Sequence, residues 1–410
     1  MSEAEEVKFH IKVVINKSKT KVLFAEADSD FTDVLLSFLL LPLVTIVEVL
    51  EKHYGDKAPV IGSLNTLYKG ASNLDPIHFL GEDVKKDLIS STLFDSELCK
   101  LRLSICGTQP TFSSNGESYE GVFTKSSASF IITDQLFVYP NVAGSIIETL
   151  TTLGIAVKDM DGIETRNVTF GMNEIIALLK ESLISLDPLT ALFFSRILIV
   201  PTEGHVLLHP IYPEDILRNP KIMMLKVMLQ ISTNKFLFAQ ADADFVNFLF
   251  SNLTIPLGRV EWFLCSNTGL KNMDNLHKSV ASVVDSFYLK CDKDLLIKPD
   301  PTSINLYVKK ANEYYYLNMD GCENQLYVEG PRMYIVSDDL TVAPLGVTVG
   351  FSVINQFKIS LSDVEEVKLN VGLKEALSIL KASLTSSTAL TDGLIKPFLK
   401  EQLIKPLLKK

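Results

Sequence analysis

The chain has 410 residues, 47% of them hydrophobic, and a formal net charge of −10 at neutral pH. That length exceeds what one hydrophobic core usually fills, so two domains are expected, and the apolar content excludes a largely disordered chain. The acidic balance argues against a nucleic-acid partner, because phosphate contacts need clustered Lys and Arg.

Taken in chain order, residues 9–16 and 20–27 are rich in β-branched and apolar side chains and are separated by the polar "NKSKT", which predicts a hairpin. Phe31, Val34, Leu35, Phe38 and Leu39 then recur at helical spacing. Asp30 falls where an N-cap belongs, with Asp33 three positions on; the alternative reading makes Asp28 and Asp30 a metal-binding or acid/base pair. Pro42 ends or kinks that helix, and a second is expected from Leu43 to Tyr54 with Gly55 as its C-cap. The apolar run at 34–50 could pass for a membrane span, but it is short and interrupted by Pro42 and Glu48. Further on, the pattern predicts a strand at 129–133, a helix at 142–153, a strand at 164–170 and a helix at 172–186.

After residue 220 the pattern begins again. "KVLFAEADSDFTDVLLSFLLLPL" at 21–43 reappears as "KFLFAQADADFVNFLFSNLTIPL" at 235–257, an offset of 235 − 21 = 214. "FIITDQL" at 130–136 matches "YIVSDDL" at 334–340. "VTFGMNEIIALLKESL" at 168–183 matches "LNVGLKEALSILKASL" at 369–384, and "NTLYK" at 65–69 meets "DNLHK" at 274–278. The fold class is therefore α+β, a mixed α/β chain of two tandem homologous modules, 1–215 and 216–410. Their join is expected in the proline-rich 200–220. The second copy of the apolar run carries Asn252, Arg259 and Glu261, so both copies are core helices and no transmembrane segment is expected.

Signatures of chemistry are sparse. No Walker loop, dinucleotide fingerprint, G-x-S-x-G or H-E-x-x-H occurs, so no cofactor is expected. "SKTK" at 18–21 sits in the hairpin turn. His205 and His209 have metal-pair spacing on a helix, but Pro201, Gly204 and Pro210 favour extended chain there. The five cysteines, Cys99, Cys106, Cys265, Cys291 and Cys322, are scattered and form neither a disulfide framework nor a zinc motif, so no structural metal is expected. The N-terminal "MSEAEEVKFH" lacks a signal pattern, and a reducing, cytoplasmic setting is expected.

Breaks in the internal symmetry are the best pointers to specialisation. Thr45, Glu48 and Tyr68 of the first copy are replaced by Arg259, Trp262 and His277. His277 can exchange protons near neutral pH and is the candidate catalytic residue; Trp262 and Arg259 are candidate ligand contacts. Tyr314, Tyr315 and Tyr316 could line an apolar pocket or belong to an amphipathic strand. The basic tail "LIKPFLKEQLIKPLLKK" at 394–410 could touch an anionic membrane surface or dock on its own module.

The paired 21–43 and 235–257 stretches, with "SLNTLYKG" and the late "LKASLTSSTALTDGL", resemble a plant-specific family known as domain of unknown function number 674, over nearly the whole chain. That resemblance implies a land-plant source and brings no catalytic residues to transfer. Two functions fit the sequence. One is binding of a small apolar metabolite, with a cofactor-independent isomerase or cyclase activity of terpenoid-like metabolism. The other is a non-enzymatic interaction or scaffold protein acting through protein partners.

Overall fold

The structure is a computed structural model that describes residues 7–90, 98, 101, 103, 105, 122–141, 151, 162–194, 222–283, 288–299, 327–328, 330 and 332–404. The first module runs β1 (Phe9–Ile15), β2 (Val22–Asp28), α1 (Ser29–Leu36), α2 (Leu43–Tyr54), α3 (Leu64–Asn73), α4 (Glu82–Ile89), β3 (Ser129–Thr133), β4 (Val138–Pro140), β5 (Glu164–Phe170), α5 (Met172–Ile184) and α6 (Pro188–Phe194). The second runs β6 (Met223–Gln230), β7 (Lys235–Ala241), α7 (Ala243–Thr254), α8 (Leu257–Phe263), α9 (Lys271–Ser282), α10 (Asp294–Ile297), β8 (Tyr334–Val336), β9 (Val342–Pro344), α11 (Val347–Gln356), β10 (Val364–Val371), α12 (Leu373–Thr385) and α13 (Lys396–Ile404).

Each module holds a five-stranded antiparallel sheet, in the order β4-β3-β2-β1-β5 in the first and β9-β8-β7-β6-β10 in the second. The two orders are the same once copies are matched. Even irregularities repeat: the β1–β2 register shifts between Val14 and Ile15, and the β6–β7 register between Met228 and Leu229, 214 residues later. The mixed α+β class and the duplicated architecture read from the sequence are present.

The repeated "ADSDF" folds as a strand running directly into a helix, with one correction. The N-cap is Asp28, whose carboxylate accepts from the Phe31 amide at 2.9 Å, and not Asp30. The strand stays extended through residue 28, so the helix starts earlier than the apolar stripe suggested, and Asp30 falls in its first turn. Asp242 caps α7 in the same way through the Phe245 amide. Asp33 has a different task. It is buried, and its carboxylate accepts from the amides of Val122, Phe123 and Thr124 and from the Thr124 hydroxyl. Asn247, its counterpart, accepts from the Tyr327 and Val328 amides at 2.7 and 2.9 Å. Both side chains close off otherwise unpaired backbone donors.

Other polar residues shared by the copies also serve the fold. Asp134 accepts from the amide and hydroxyl of Thr190, and Asp338 from those of Thr391. Glu174 and Glu375 each reach back to the amide of the glycine that opens their helix, Gly171 and Gly372, at 2.9 and 3.0 Å. Each bond satisfies the N-cap amide of its helix, the glutamate half of a capping box.

The modules interlock. Pro42 and Pro256, equivalent residues, face each other in an isolated antiparallel bridge. The Leu43 amide donates to the Ile255 carbonyl at 3.2 Å, and the Leu257 amide to the Leu41 carbonyl at 2.9 Å. Swapping the copies exchanges these two bonds, which is the mark of a self-complementary contact about a two-fold axis. The pattern continues outward. Leu80 N donates to Tyr327 O, and Lys290 N to Phe123 O. The Ser63 hydroxyl donates to the Ser386 carbonyl at 2.6 Å, and the Asn272 amide to the Ser185 carbonyl at 2.6 Å. One hydrophobic cluster accordingly runs through both modules, from Phe31, Phe38 and Leu39 to Phe245, Phe248 and Leu253.

The start of the basic tail packs on its own module. Leu394 and Ile395 are buried, and Lys374 pairs with Glu401 at 2.8 Å. No helix among the described residues is long and apolar enough to cross a membrane.

Candidate functional site

The symmetry-breaking residues of the second module gather around α8, α9 and the turn between them. Helix α8 stops after Phe263, and the chain reverses through Cys265 and Ser266, both in the left-handed region at φ 53° and 50°. Such a conformation costs a side-chain-bearing residue about 1–2 kcal/mol. The turn brings Ser266 against α9.

There the Ser266 hydroxyl lies 2.8 Å from His277 Nδ1, and His277 Nε2 lies 2.9 Å from the Ile297 carbonyl. A carbonyl can only accept, so Nε2 carries the hydrogen, and Nδ1 accepts from Ser266. The ring is neutral and only 4% exposed, and burial holds its pKa below the ordinary histidine value. The first-module counterpart is Tyr68, a half-buried side chain on α3.

Trp262 is half-buried against Phe263, with ring centres 5.4 Å apart. The Arg259 guanidinium lies 5.4 Å from the Trp262 ring centre and 5.8 Å from that of Phe263, a cation–π arrangement. In the first module the same surface carries the Glu48–Lys52 ion pair at 2.6 Å. Arg259 and Trp262 therefore sit together, while His277 is tied inward to Ser266 and Ile297. Tyr314, Tyr315, Tyr316, His205 and His209 lie outside the described residues, as do the helix expected at 142–153, apart from residue 151, and the expected join. Among the described residues, no three His, Cys, Asp or Glu side chains are grouped to hold a metal ion.

Sequence reasoning missed the deepest part of this cluster. Glu261 is fully buried, and its Oε1 lies 3.1 Å from the Thr268 hydroxyl. Asp274 accepts from the same hydroxyl at 2.7 Å and from the Thr268 amide at 2.8 Å. Burial pushes the Glu261 carboxyl well above its ordinary range, and the nearby Asp274 adds to this. The signal was available in the duplication: offsets of 214 and 209 place Val47 opposite Glu261 and Asn65 opposite Asp274. A buried apolar–amide pair in one copy is a buried carboxyl pair in the other.

Equivalent ends of the two outer sheet faces also differ. In the first module, His10, Lys12, Glu26, Asp28, Ser129, Asn141 and Asn167 surround a shallow polar groove of about 280 Å³. In the second, Met224 and Met333 replace His10 and Ser129, and both are exposed. Each lies one residue beyond a pair made with Ala241, the last residue of β7: Leu225 on β6 and Tyr334 on β8.

The architecture defines a two-module α+β protein whose copies share a scaffold. The chain belongs to the family of proteins of unknown function designated DUF674, whose model matches residues 5–112, 108–318 and 305–409. No curated protein and no solved structure matches it.

Proposed function

We propose that this protein is a non-enzymatic interaction protein that docks a protein partner on the apolar end of its second sheet. The observation that supports this is the exposed apolar set Ile222, Met224 and Met333. The same positions in the first module, Lys8, His10 and Ser129, are polar, so the fold itself does not require apolar residues there. Methionine suits such a surface because its flexible, polarisable side chain adapts to a partner.

The test restores the first-module residues. Met224→His with Met333→Ser leaves the core intact, and proximity labelling in the native tissue reads the partners. Loss of a partner set captured by wild type supports docking at this surface. An unchanged set places the interaction elsewhere and overturns the reading.

The second reading, a cofactor-independent isomerase or cyclase for a small apolar metabolite, rests on the Ser266–His277 pair. Here a neutral base touches a hydroxyl in a dry setting. His277→Ala assayed on reactive terpenoid-like intermediates tests it, with product stereochemistry as the readout. A cytoplasmic location belongs to both readings, and fractionation of tagged protein checks it.

A further inference from the structure

Glu261 and Asp274 stand out because nothing in the fold demands them: the first module fills the same two places with Val47 and Asn65. They also raise a question of hydrogens. The Thr268 hydroxyl has one hydrogen, yet it lies within bonding distance of both Asp274 Oδ1 and Glu261 Oε1. Two ionised carboxylates around one hydroxyl, in a site with no water access, would leave an acceptor facing an acceptor. Glu261 Oε2, fully buried, has no hydrogen-bond partner. A proton on Glu261 resolves both conflicts, since it supplies a second donor and removes the like charge.

We propose that Glu261 holds a proton beside Asp274 and that its loss releases the 264–270 turn, making this turn a protonation-controlled element of the second module. The turn is the right place for release. Three of its residues, Cys265, Ser266 and Gly269, already hold positive φ, and Asp274 pins it through the Thr268 amide and hydroxyl. Ser266 N bonds to the Glu261 carbonyl and Ser266 Oγ to His277, so freeing this end also removes one of the histidine's two hydrogen bonds.

The charged groups around the pair do not cancel an ionised Glu261. On α9, Asp274 opposes it, Lys278 is an exposed lysine that favours it, and His277 is neutral. On α12, half-buried Lys381 feels Asp274 and is itself lowered by burial. On α10, Asp294 is paired with Lys298 at the surface, and residues Ser37–Leu40, which pack on α8, include no titratable side chain.

A carboxyl held above its unfolded value stabilises the closed turn fully below about pH 4.3, and that contribution is lost as pH rises toward the folded titration point. Over that window the opening constant grows about tenfold per pH unit. Hydrogen exchange of the Ser266 and Thr268 amides in the full chain reads it, corrected for intrinsic exchange at each pH. Wild type is compared with Glu261→Gln, which keeps the shape without the titration, and with Glu261→Val/Asp274→Asn, which copies the first module. Wild-type protection should fall with pH relative to both variants, approaching tenfold per unit. Parallel profiles for wild type and either folded variant overturn the proposal.

Discussion

Replacing Asp33 separates what its hydrogen bonds contribute from what its charge costs. Asp33→Ala leaves the buried amides of Phe123 and Thr124, and the part-buried amide of Val122, without their acceptor. Each unsatisfied buried donor costs about 1–3 kcal/mol, so a total loss of about 3–6 kcal/mol is expected. Asp33→Asn behaves differently, because Asn247 performs the same role in the other module with an amide oxygen. Its new Nδ2, in the place of Oδ1, can donate to the Thr124 oxygen while that hydroxyl turns to the Ser29 carbonyl 3.3 Å away, which leaves one donor, the Thr124 amide, without its acceptor instead of three. Burial pushes Asp33 from 3.8 up to about 6, against the opposing pull of its four hydrogen bonds. The stabilisation that follows is present below about pH 4 and lost as pH rises through about 6. A shift of about two units at 1.36 kcal/mol each makes the asparagine variant gain about 3 kcal/mol on wild type between pH 4 and pH 7. Urea unfolding at a series of pH values measures this. Parallel pH profiles for wild type and Asp33→Asn, or an asparagine variant as unstable as Asp33→Ala, would refute the reasoning.

Other expectations follow from single contacts. Gly62→Ala should cost several kcal/mol, because Gly62 has φ +48° and a Cβ there would sit 2.4 Å from the Ser383 carbonyl oxygen in the other module. Gly55→Ala, at φ +55° with open space around it, should cost only about 1 kcal/mol; thermal unfolding of the two variants side by side checks the contrast. Thr190→Val removes the hydroxyl that serves both Asp134 and the Val22 amide, and should cost about 2–4 kcal/mol by urea unfolding, with Thr190→Ser retaining most of the stability. Trp262→Ala should leave stability within about 2 kcal/mol of wild type, because the ring is only half-buried.

Much of the fold was legible because its signals are local. The strand at 129–133, the strand at 164–170 and the helix opening at Met172 are set by alternation, helical periodicity and a glycine-led cap, and all three lie where the sequence puts them. The N-cap was misplaced because the first apolar residue of a helix need not be its first residue. Strand order was not recoverable, since nothing local to β5, which starts at Glu164, says that it pairs with β1, which ends at Ile15. Module interlocking was equally hidden: Pro42 and Pro256 read as helix punctuation, and only packing reveals that they meet. At the candidate site, the symmetry breaks at Arg259, Trp262 and His277 fall on α8 and α9, two helices that adjoin in sequence. The carboxyl pair beside them escaped notice because a glutamate within an apolar helix looks like a surface residue until its neighbours are placed.

The most direct measurement of reciprocal interlocking is cleavage of the covalent join. A protease site introduced between residues 203 and 215 of the full chain lets the two modules be separated covalently without touching a described contact. Size-exclusion chromatography with light scattering then reads the particle mass after complete cleavage. Reciprocal bonds at Pro42–Pro256, Ser63–Ser386 and Asn272–Ser185, around one shared core, require the nicked protein to remain a single particle of the intact mass in the absence of denaturant. Two separate folded species, each near half that mass, would contradict it.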